Sequence, residues 1–498
     1  MRIFALTLFL ISQLWSASVD DLTFSAVNGE LTITAIDSAA TGSLVVPATY
    51  LSLPVTKIAP SAFQNSNITG IDLPNSITSI GAGAFENSEL LSIVIPNSVT
   101  VIEPDTFSGS QLTSVVIPDS VTSIGESAFY GTDLTSVFIP NSVTSIAPQA
   151  FSICDKLTNV VLPDTLEVID AWTFQSCYLL TSINIPNSVK EIRSYAFNTT
   201  SLQYFNIPTS LEAIGENGII LDEYAWVAWD VFSTYNFSYY DNDSGAEVQY
   251  APTFIEDDTF KYIEATNGMI LMGLRAAYHE DPDHNYPKDL VIPNEVNGKP
   301  VMVINNYAFA YDRITSIVIP DSVIAIGFDA FTDCEYLTSV TLSNSLKFIP
   351  SYCFEECPSL TSITLPDSIT KIGLKAFDDC TVLSSVNLPS GLEVIGAGAF
   401  EDTALVSIVI PDSIQAIGPE AFIRSKLTSA EIPNRFVTQL NSIGMPADLQ
   451  DDIFYAAVRS HLTSNPEFIA SIAESIQPSG GGDDDSNSTQ SVDPFIYN

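Results

Sequence analysis

Apolar side chains recur along most of the chain at a fixed set of positions, and the pattern is clearest between residues 112 and 129. The positions expected to point inward there are Leu112, Val115, Ile117, Val121, Ile124, Ala128 and Phe129. The closing phenylalanine marks each copy, in one series at Phe63, Phe85, Phe107, Phe129, Phe151, Phe174 and Phe197, and in a second at Phe309, Phe331, Phe354, Phe377, Phe400 and Phe422. Successive markers are 22 or 23 residues apart, and a fixed period of this size predicts a solenoid of stacked coils.

Each coil is expected to begin with a short strand, at residues 112–117 in this copy. Pro118 ends the strand, because proline fixes φ and lacks an N–H donor. The returning half, from Ile124 to Phe129, is predicted to form a short helical or 3-10 segment on the outer face. Because one coil cannot bury its apolar side chains alone, stability must come from stacking. The predicted solenoid therefore has short parallel strands on one face and short helical segments on the other.

The repeat resembles the bacterial surface-antigen class of leucine-rich repeats, often called BspA-like. The matching residues read Leu-Thr-Ser-Val-x-Ile-Pro-x-Ser-Val-Thr-x-Ile-Gly-x-x-Ala-Phe, almost unbroken at 112–129 and 134–151 and closely at 314–331 and 405–422. The resemblance covers roughly residues 25–440. It implies a leucine-rich repeat solenoid in a secreted or surface protein that binds other proteins, host surfaces or glycans, and it supplies no catalytic residues.

Two matching start segments indicate two arrays in one chain. Residues 54–58 and 300–304 stand at the same distance before the first marker of their series. The ends of a solenoid need modified edges to cover the open core, so we expect each array to be capped. The predicted divisions are a signal peptide at 1–17, a cap and first array at 18–225, an aromatic acidic insert at 226–261, a second cap and array at 262–444, C-terminal helices at 445–477 and a disordered tail at 478–498.

The N-terminal residues predict a secretory signal, because Arg2 precedes an apolar run from Ile3 to Leu14 and small residues follow at 16–18. The alternative is a buried N-terminal strand. No later segment approaches the roughly 18 unbroken apolar residues of a transmembrane helix. The 498 residues include 59 acidic and 17 basic ones, for a formal net charge of −42. This charge repels phosphates and argues against nucleic-acid binding, whereas cation binding, cationic partners and a saline environment all fit.

On each predicted strand one residue points outward between two that point inward. This column reads Asp72, Val94, Val116, Phe138, Val161, Asn184 and Asn206 in the first array, and Val318, Thr341, Thr364, Asn387, Val409 and Glu431 in the second. The four consecutive apolar residues, Val94 to Val161, predict an exposed stripe about 14 Å long. Such patches commonly mark partner sites. The strand preference of valine is an equally good explanation, but an exposed ring at Phe138 needs a further reason.

Two segments outside the regular coils carry candidate chemistry. Trp226 and Trp229 lie in the aromatic insert and are candidates for a ligand platform, because aromatic rings stack on sugars and apolar anchors. A cap that closes the first array would use the same residues. His279 and His284 lie among carboxylates and offer metal-ligating nitrogens, although an exposed proline-containing loop would look the same.

The same insert contains a candidate calcium loop. Asp241, Asp243 and Glu247 place alternating carboxylates near a glycine, as calcium loops do. The segment departs from the EF-hand pattern, because Gly245 takes the fifth position and no glutamate follows at the twelfth. A plain solvated turn explains the same residues and is the favoured interpretation. We therefore expect no cofactor, with calcium at this loop as the alternative.

Five of the six cysteines follow a marker phenylalanine by three residues, at Cys154, Cys177, Cys334, Cys357 and Cys380, and the sixth is Cys353. Each of the five begins a connection that is one residue longer, which indicates a packing variant of the coil. Stacked coils lie about 4.8 Å apart, within the Cα range of a disulfide, and an exported protein permits bridges. Parallel Cβ vectors would hold the Cβ atoms too far apart, so we predict mostly free, buried thiols.

No nucleophile–base pair, phosphate loop or strong metal motif occurs in the sequence, so we do not expect an enzyme. The leading interpretation is a secreted or cell-surface interaction protein, active in adhesion or ligand recognition through its strand face. Its partner would be a protein or glycan on another surface. The alternatives are a structural component or spacer of an extracellular layer and, less favoured, an extracellular hydrolase with its site in residues 226–261 or 278–284.

Overall fold

The computed structural model describes residues 16–202, 204–214, 237–241, 246–250, 254–274, 287–418, 420–431 and 433. These residues fall into two compact units, 16–205 and 206–433. Each unit contains the predicted parallel-strand solenoid, so this part of the fold prediction is confirmed. The predicted C-terminal helices and tail lie outside the described residues, as does the predicted signal peptide apart from residues 16 and 17.

The first strand of each coil contributes to a surface that we call the strand face. In the first unit its strands are Thr41–Val45, Asn67–Asp72, Ser92–Val94, Ser114–Val116, Ser136–Phe138, Asn159–Val161, Ser182–Ile183 and Tyr204–Phe205. In the second they are Asp289–Val291, Ser316–Val318, Ser339–Thr341, Ser362–Thr364, Ser385–Asn387, Ser407–Val409 and Ser429–Glu431. Paired strands run parallel and in register, so equivalent residues of successive coils lie side by side.

A second, shorter strand follows in each coil and forms the return face. These strands are Ser79–Ile80, Val101–Ile102, Ser123–Ile124, Ser145–Ile146, Val168–Ile169 and Glu191–Ile192 in the first unit. In the second unit they are Ala213–Ile214, Ala325–Ile326, Phe348–Ile349, Lys371–Ile372, Val394–Ile395 and Ala416–Ile417. They also pair in parallel, as Ile124 does with Ile102 on one side and Ile146 on the other.

Each unit also has strands outside the two regular faces of its coils, and several of them are longer than the coil strands. The first unit has a 3-10 helix, Val19–Asp21, and the strands Leu22–Val27, Glu30–Ile36, Thr49–Tyr50 and Leu53–Ile58. The second has Phe237–Asp241, Ala246–Tyr250, Ile255–Glu256, Phe260–Glu264, Met269–Leu274, Glu295–Val296 and Lys299–Ile304. Leu53–Ile58 and Lys299–Ile304 each pair in parallel with the first regular return-face strand of their series. Equivalent start segments therefore take equivalent positions.

The marker phenylalanines form two continuous stacks inside the solenoids. From Phe63 to Phe197 neighbouring ring centroids lie 4.9–5.7 Å apart. From Phe309 to Phe422 they lie 5.1–5.4 Å apart. Interplanar angles never exceed 15°. Every ring is fully buried, so each coil completes its core only against its neighbours.

The predicted helical segment around each marker is wrong, because the chain there forms turns. Ser127 and Gly131, two residues before and two residues after Phe129, have φ of 52° and 63°. All the remaining regular coils have left-handed residues at the same two positions. A left-handed residue every four positions prevents a helix from continuing. Among the described residues the only helix is the 3-10 turn at Val19–Asp21, and no helix there is long and apolar enough to span a membrane.

Instead of a helix, this segment forms a third hydrogen-bonded surface, which we call the turn face. The N–H groups of Ser61, Phe63 and Asn65 donate to carbonyl oxygens of the next coil at 3.0, 2.7 and 2.8 Å. The N–H groups between them bond within their own coil, as Gln64 does to the carbonyl of Ser61 at 3.1 Å. Each coil is therefore tied to the next on its turn face by a regular series of backbone hydrogen bonds.

All six cysteines are buried free thiols. The Sγ atoms of Cys154 and Cys334 donate to the carbonyl oxygens of Phe129 and Phe309, the markers of the preceding coils, at 3.2 and 3.1 Å. Cys177, Cys357 and Cys380 make the same contact at 3.1–3.3 Å. Burial raises the pKa of Cys154 to about 12, and a thiol that holds its proton is a poor nucleophile. The cysteines therefore serve packing between coils.

Candidate functional site

Four exposed apolar side chains lie on adjacent coils of the first unit, and we call them the apolar stripe. Their exposed fractions are 63% for Val94, 56% for Val116, 62% for Phe138 and 42% for Val161. Val94 pairs with Val116, and Phe138 pairs with Val161, in the parallel register of their strands. The N–H of Thr135 donates to the carbonyl of Thr113 at 3.4 Å and joins the two pairs. The structure thus brings the predicted residues together on one surface.

The four strands that carry the apolar stripe are uncharged. Ser92, Ser114 and Ser136 form an exposed column on the same strands. Between the two columns, Ile93 and Val137 are buried and Val115 is half-buried. The strands that carry the stripe contain no charged residue from 92 to 94, from 114 to 116, from 136 to 138 and from 159 to 161. In a chain with a net charge of −42, such a surface favours apolar contact over ionic contact.

The second unit has a different outward column. Val318 and Val409 are exposed, but Thr341, Thr364 and Asn387 lie between them on the intervening strands. Four consecutive apolar positions therefore occur only on the strand face of the first unit, within the coils that the structure describes. The two arrays share one backbone design and present different outward chemistry.

The candidate residues of the insert are only partly within the described chain. Trp226, Trp229 and Asp243 lie outside it, as do His279 and His284. Asp241 ends the strand Phe237–Asp241, which pairs antiparallel with Ala246–Tyr250 and places Glu247 opposite Tyr240. The platform and calcium-loop hypotheses at these residues therefore stay predictions.

The turn face of the second unit carries a group of carboxylates that was not predicted. Three successive coils place two acidic residues directly after the marker phenylalanine, and we call these six residues the acidic cluster: Glu355, Glu356, Asp378, Asp379, Glu401 and Asp402. One carboxylate oxygen from each of Asp378, Asp379 and Asp402 lies within 4.8 Å of the others. The first unit has neutral residues at equivalent positions in its last coils, such as Gln175, Ser176, Asn198 and Thr199.

Two basic residues contact the acidic cluster. Lys375 Nζ lies 2.7 Å from Asp378 Oδ2 and 3.7 Å from Glu401 Oε2. Arg424 Nε lies 2.6 Å from Asp402 Oδ2, and the same guanidinium also donates to Glu401. Within the described part of the chain, two positive charges therefore face six carboxylates, and the cluster keeps an excess of negative charge.

The crowding perturbs proton binding in the acidic cluster. Burial, followed by the charge of Asp378, raises the pKa of Glu355 to about 7. Burial and the charge of Asp378 also raise the pKa values of Asp379 and Glu401 above their ordinary range. Both effects disfavour the charged form of a carboxylic acid. The cluster thus holds more negative charge than its own cations offset.

A sequence signal for the acidic cluster exists in the repeat register. The three coils read Phe-Glu-Glu, Phe-Asp-Asp and Phe-Glu-Asp from Phe354, Phe377 and Phe400. Because a solenoid stacks equivalent positions, aligned acidic pairs must form a column. The overall charge count obscured this column, since acidic residues are abundant throughout the chain.

The family model of the BspA type leucine rich repeat region (6 copies) matches residues 36–157, 100–219 and 302–434, which is more than half of the chain. No curated protein matches. Similar solved structures include a leucine-rich repeat protein from Bacteroides ovatus, 25% identical, covering 80% of this chain and 98% of that chain at a TM-score of 0.42. A leucine rich cell surface protein from Faecalibacterium prausnitzii is 24% identical, covering 80% and 92% at a TM-score of 0.30.

The pneumococcal vaccine antigen PcpA is 16% identical, and the match covers 90% of this chain and 96% of that chain at a TM-score of 0.28. The family assignment rests on the repeat residues, which the family model matches in both arrays. The resemblance inferred from the repeated Ile-Pro and Ala-Phe positions is thus confirmed. The chain belongs to the family of BspA-type leucine-rich repeat proteins.

Proposed function

We propose that this chain is a secreted or cell-surface interaction protein that binds a partner protein through the apolar stripe. The observation that carries the proposal is the continuous exposure of Val94, Val116, Phe138 and Val161 on adjacent coils. Their exposed fractions correspond to an apolar patch of roughly 300–400 Å², a size that is often functional on a monomer. An exposed ring at the centre of such a patch is the kind of residue that dominates interface energetics.

The chemistry of the stripe favours a protein over a glycan. Three of its four side chains are aliphatic and offer neither hydrogen bonds nor a flat ring to a sugar. A matching partner would present apolar side chains to the stripe. Basic residues around them would complement the net charge of −42 and speed the encounter, since complementary charge mainly raises association rates.

The organisation of the chain follows from the same proposal. The start segments at residues 22–58 and 262–304 act as caps that cover the open ends of the two arrays, in keeping with the general need of solenoids for modified terminal repeats. Residues 18–225 and 262–444 are the two capped arrays, joined by the insert at 226–261. Export would place the strand face outside the cell, where BspA-like surface antigens are expected to act. The proposal includes no catalysis.

The test is a binding screen of the full chain against extracellular matrix proteins, glycans and intact cells. The Phe138→Glu variant is compared with the native protein. Phe138 is exposed on the stripe, so the substitution should leave the core intact, and loss of a central aromatic anchor should weaken binding by about tenfold or more. Saturable binding to a protein that survives in Phe138→Glu would contradict the proposed surface.

A matched control comes from the second unit. Thr341 occupies the equivalent outward position, so Thr341→Glu adds the same charge without touching the stripe and should leave binding unchanged. Sedimentation velocity of the native chain tests the structural alternative. Concentration-dependent assembly without any saturable partner would favour a spacer of an extracellular layer, and binding to glycans alone would refute a protein partner.

A further inference from the structure

We propose that the turn face of the second unit holds a calcium-class divalent cation between adjacent coils, at Asp378, Asp379 and Asp402. One carboxylate oxygen of each lies within 4.8 Å of the others. Calcium binds oxygen ligands at 2.3–2.6 Å, so two ligands on opposite sides of the ion are about 4.6–5.2 Å apart. The three oxygens already have the spacing of such a site.

A buried carboxylate oxygen gives independent support for a ligand at this place. Asp378 is only 3% exposed, and its Oδ2 accepts a hydrogen bond from Lys375 Nζ at 2.7 Å. Its Oδ1 is buried without a hydrogen-bond partner among the described residues. An unsatisfied buried acceptor is costly, and buried polar atoms in folded proteins almost always find a partner. A cation at the site would supply that partner.

The backbone around the site is held in place by the turn face. Asp379 and Asp402 have φ of 53° and 50°, a conformation that aspartate tolerates better than most residues. The N–H of Asp379 donates to the carbonyl of Glu401 at 3.1 Å, and the N–H of Glu356 donates to the carbonyl of Asp378 at 2.8 Å. Two coils thus fix the three ligands, so the ion would bind without a change of fold.

The ligand set selects the class of cation. All three donors are carboxylate oxygens, which suit hard cations. Softer metals would use the nearby Cys380, but its thiol is buried and donates to the carbonyl of Phe354 at 3.1 Å. Magnesium needs near-ideal octahedral geometry and keeps most of its waters. Calcium accepts a more flexible coordination geometry, so three carboxylates from two coils favour calcium over magnesium.

Calorimetric titration of the full chain with calcium chloride, in about 0.15 M salt to screen diffuse binding, tests the proposal. We expect one saturable site in the range of extracellular calcium modules, a dissociation constant of roughly 0.1–1 mM, and a rise in the melting temperature. Magnesium at the same concentration should give a smaller effect. The Asp378→Asn/Asp379→Asn variant, and separately Asp402→Asn, should weaken this site by about tenfold or more.

Asp367→Asn is the matched control, because Asp367 is an exposed acid of the same unit outside the acidic cluster. It removes one charge and should leave the calcium site unchanged. Melting curves in a chelator check that the asparagine variants fold. Saturable binding retained by both cluster variants would overturn the proposal, as would diffuse binding that Asp367→Asn reduces equally.

Discussion

The phenylalanine stack offers a direct test of how coils stabilise one another. Phe107 and Phe129 are fully buried, with ring centroids 5.2 Å apart and an interplanar angle of 15°. Phe129 also stacks on Phe151 at 5.1 Å. Each inner ring therefore has two stacked neighbours, and an aromatic pair contributes about 0.5–1.5 kcal/mol beyond the area that it buries. This pairwise contribution is separable from simple burial.

The perturbation is a double-mutant cycle with leucine, which keeps the core apolar and avoids a large cavity. Phe107→Leu and Phe129→Leu should each lower the free energy of unfolding by about 1–2 kcal/mol. Either single change already removes the shared ring contact. The double variant should therefore lose about 0.5–1.5 kcal/mol less than the sum of the two single losses.

Phe107→Leu with Phe151→Leu is the control cycle, because one ring separates these residues. At two coil spacings, about 10 Å, their effects should add to within about 0.5 kcal/mol. Urea unfolding measures each free energy, and hydrogen exchange of peptides from residues 100–160 assigns the transition to these coils. If the neighbouring cycle is as additive as the control cycle, stacking adds nothing beyond burial and the reasoning is refuted.

Two further predictions concern charge and close approach. Since Glu355 has a pKa raised from 4.5 to about 7, the stability it confers is fully present below about pH 4.5 and lost as pH rises through 7. Glu355→Gln should therefore leave the free energy of unfolding in urea unchanged at pH 4. At pH 8 it should raise that free energy by about 1–2 kcal/mol, a figure already discounted for solvent screening. If the variant and the native chain had the same free energy of unfolding at pH 8, the inferred crowding of carboxylates would be contradicted. A Cβ at Gly125 would lie 2.5 Å from the backbone nitrogen of Pro104, so Gly125→Ala should destabilise the chain by at least about 2 kcal/mol. Gly131 has φ of 63° but nothing nearer than 4.0 Å, so Gly131→Ala should cost only about 1 kcal/mol in the same urea assay.

The repeat predicts the inward positions well because they obey one simple rule. A side chain such as Leu134 or Phe151 must be apolar in every coil, since each coil closes the core of the next. Both are fully buried. The outward residues of the strands followed from the same alternation, which is why Phe138 was placed correctly on the exposed face. The buried and the exposed positions both follow from the periodicity, because side chains alternate between the two faces of a strand.

The same periodicity misled the prediction for the returning half. The segment from Ile124 to Phe129 has apolar residues at a spacing that also suits one helical turn. What decides the conformation is the backbone at Ser127 and Gly131, where φ is positive. Serine gives no sequence signal for that conformation, and only the alignment of all coils shows that this position accepts residues as different as Gly83 and Trp172. The backbone hydrogen bonds to the next coil offset the energetic cost of these positive φ angles.

The acidic cluster was missed for a different reason. Asp379 and Asp402 are 23 residues apart, and only the stacking of coils brings their carboxylates together. The number of acidic residues does not indicate the cluster, because the chain has 59 of them. Their equivalent positions in successive repeats do indicate it. A reading of each outward column, coil by coil, would have shown two acidic residues in three successive copies after Phe354, Phe377 and Phe400.

These columns show how one repeat can carry different chemistry. The inward apolar positions of a coil are constrained by the core of its neighbours, whereas other positions on the strand face and the turn face differ in chemistry from coil to coil. The first unit uses this freedom for an apolar stripe around Phe138, and the second for carboxylates around Asp378. If both proposals hold, Phe138→Glu should weaken partner binding by about tenfold or more and leave calcium binding intact, because the two sites share no residue. A variant at either site that disturbed both would mean that the two functions depend on one common element.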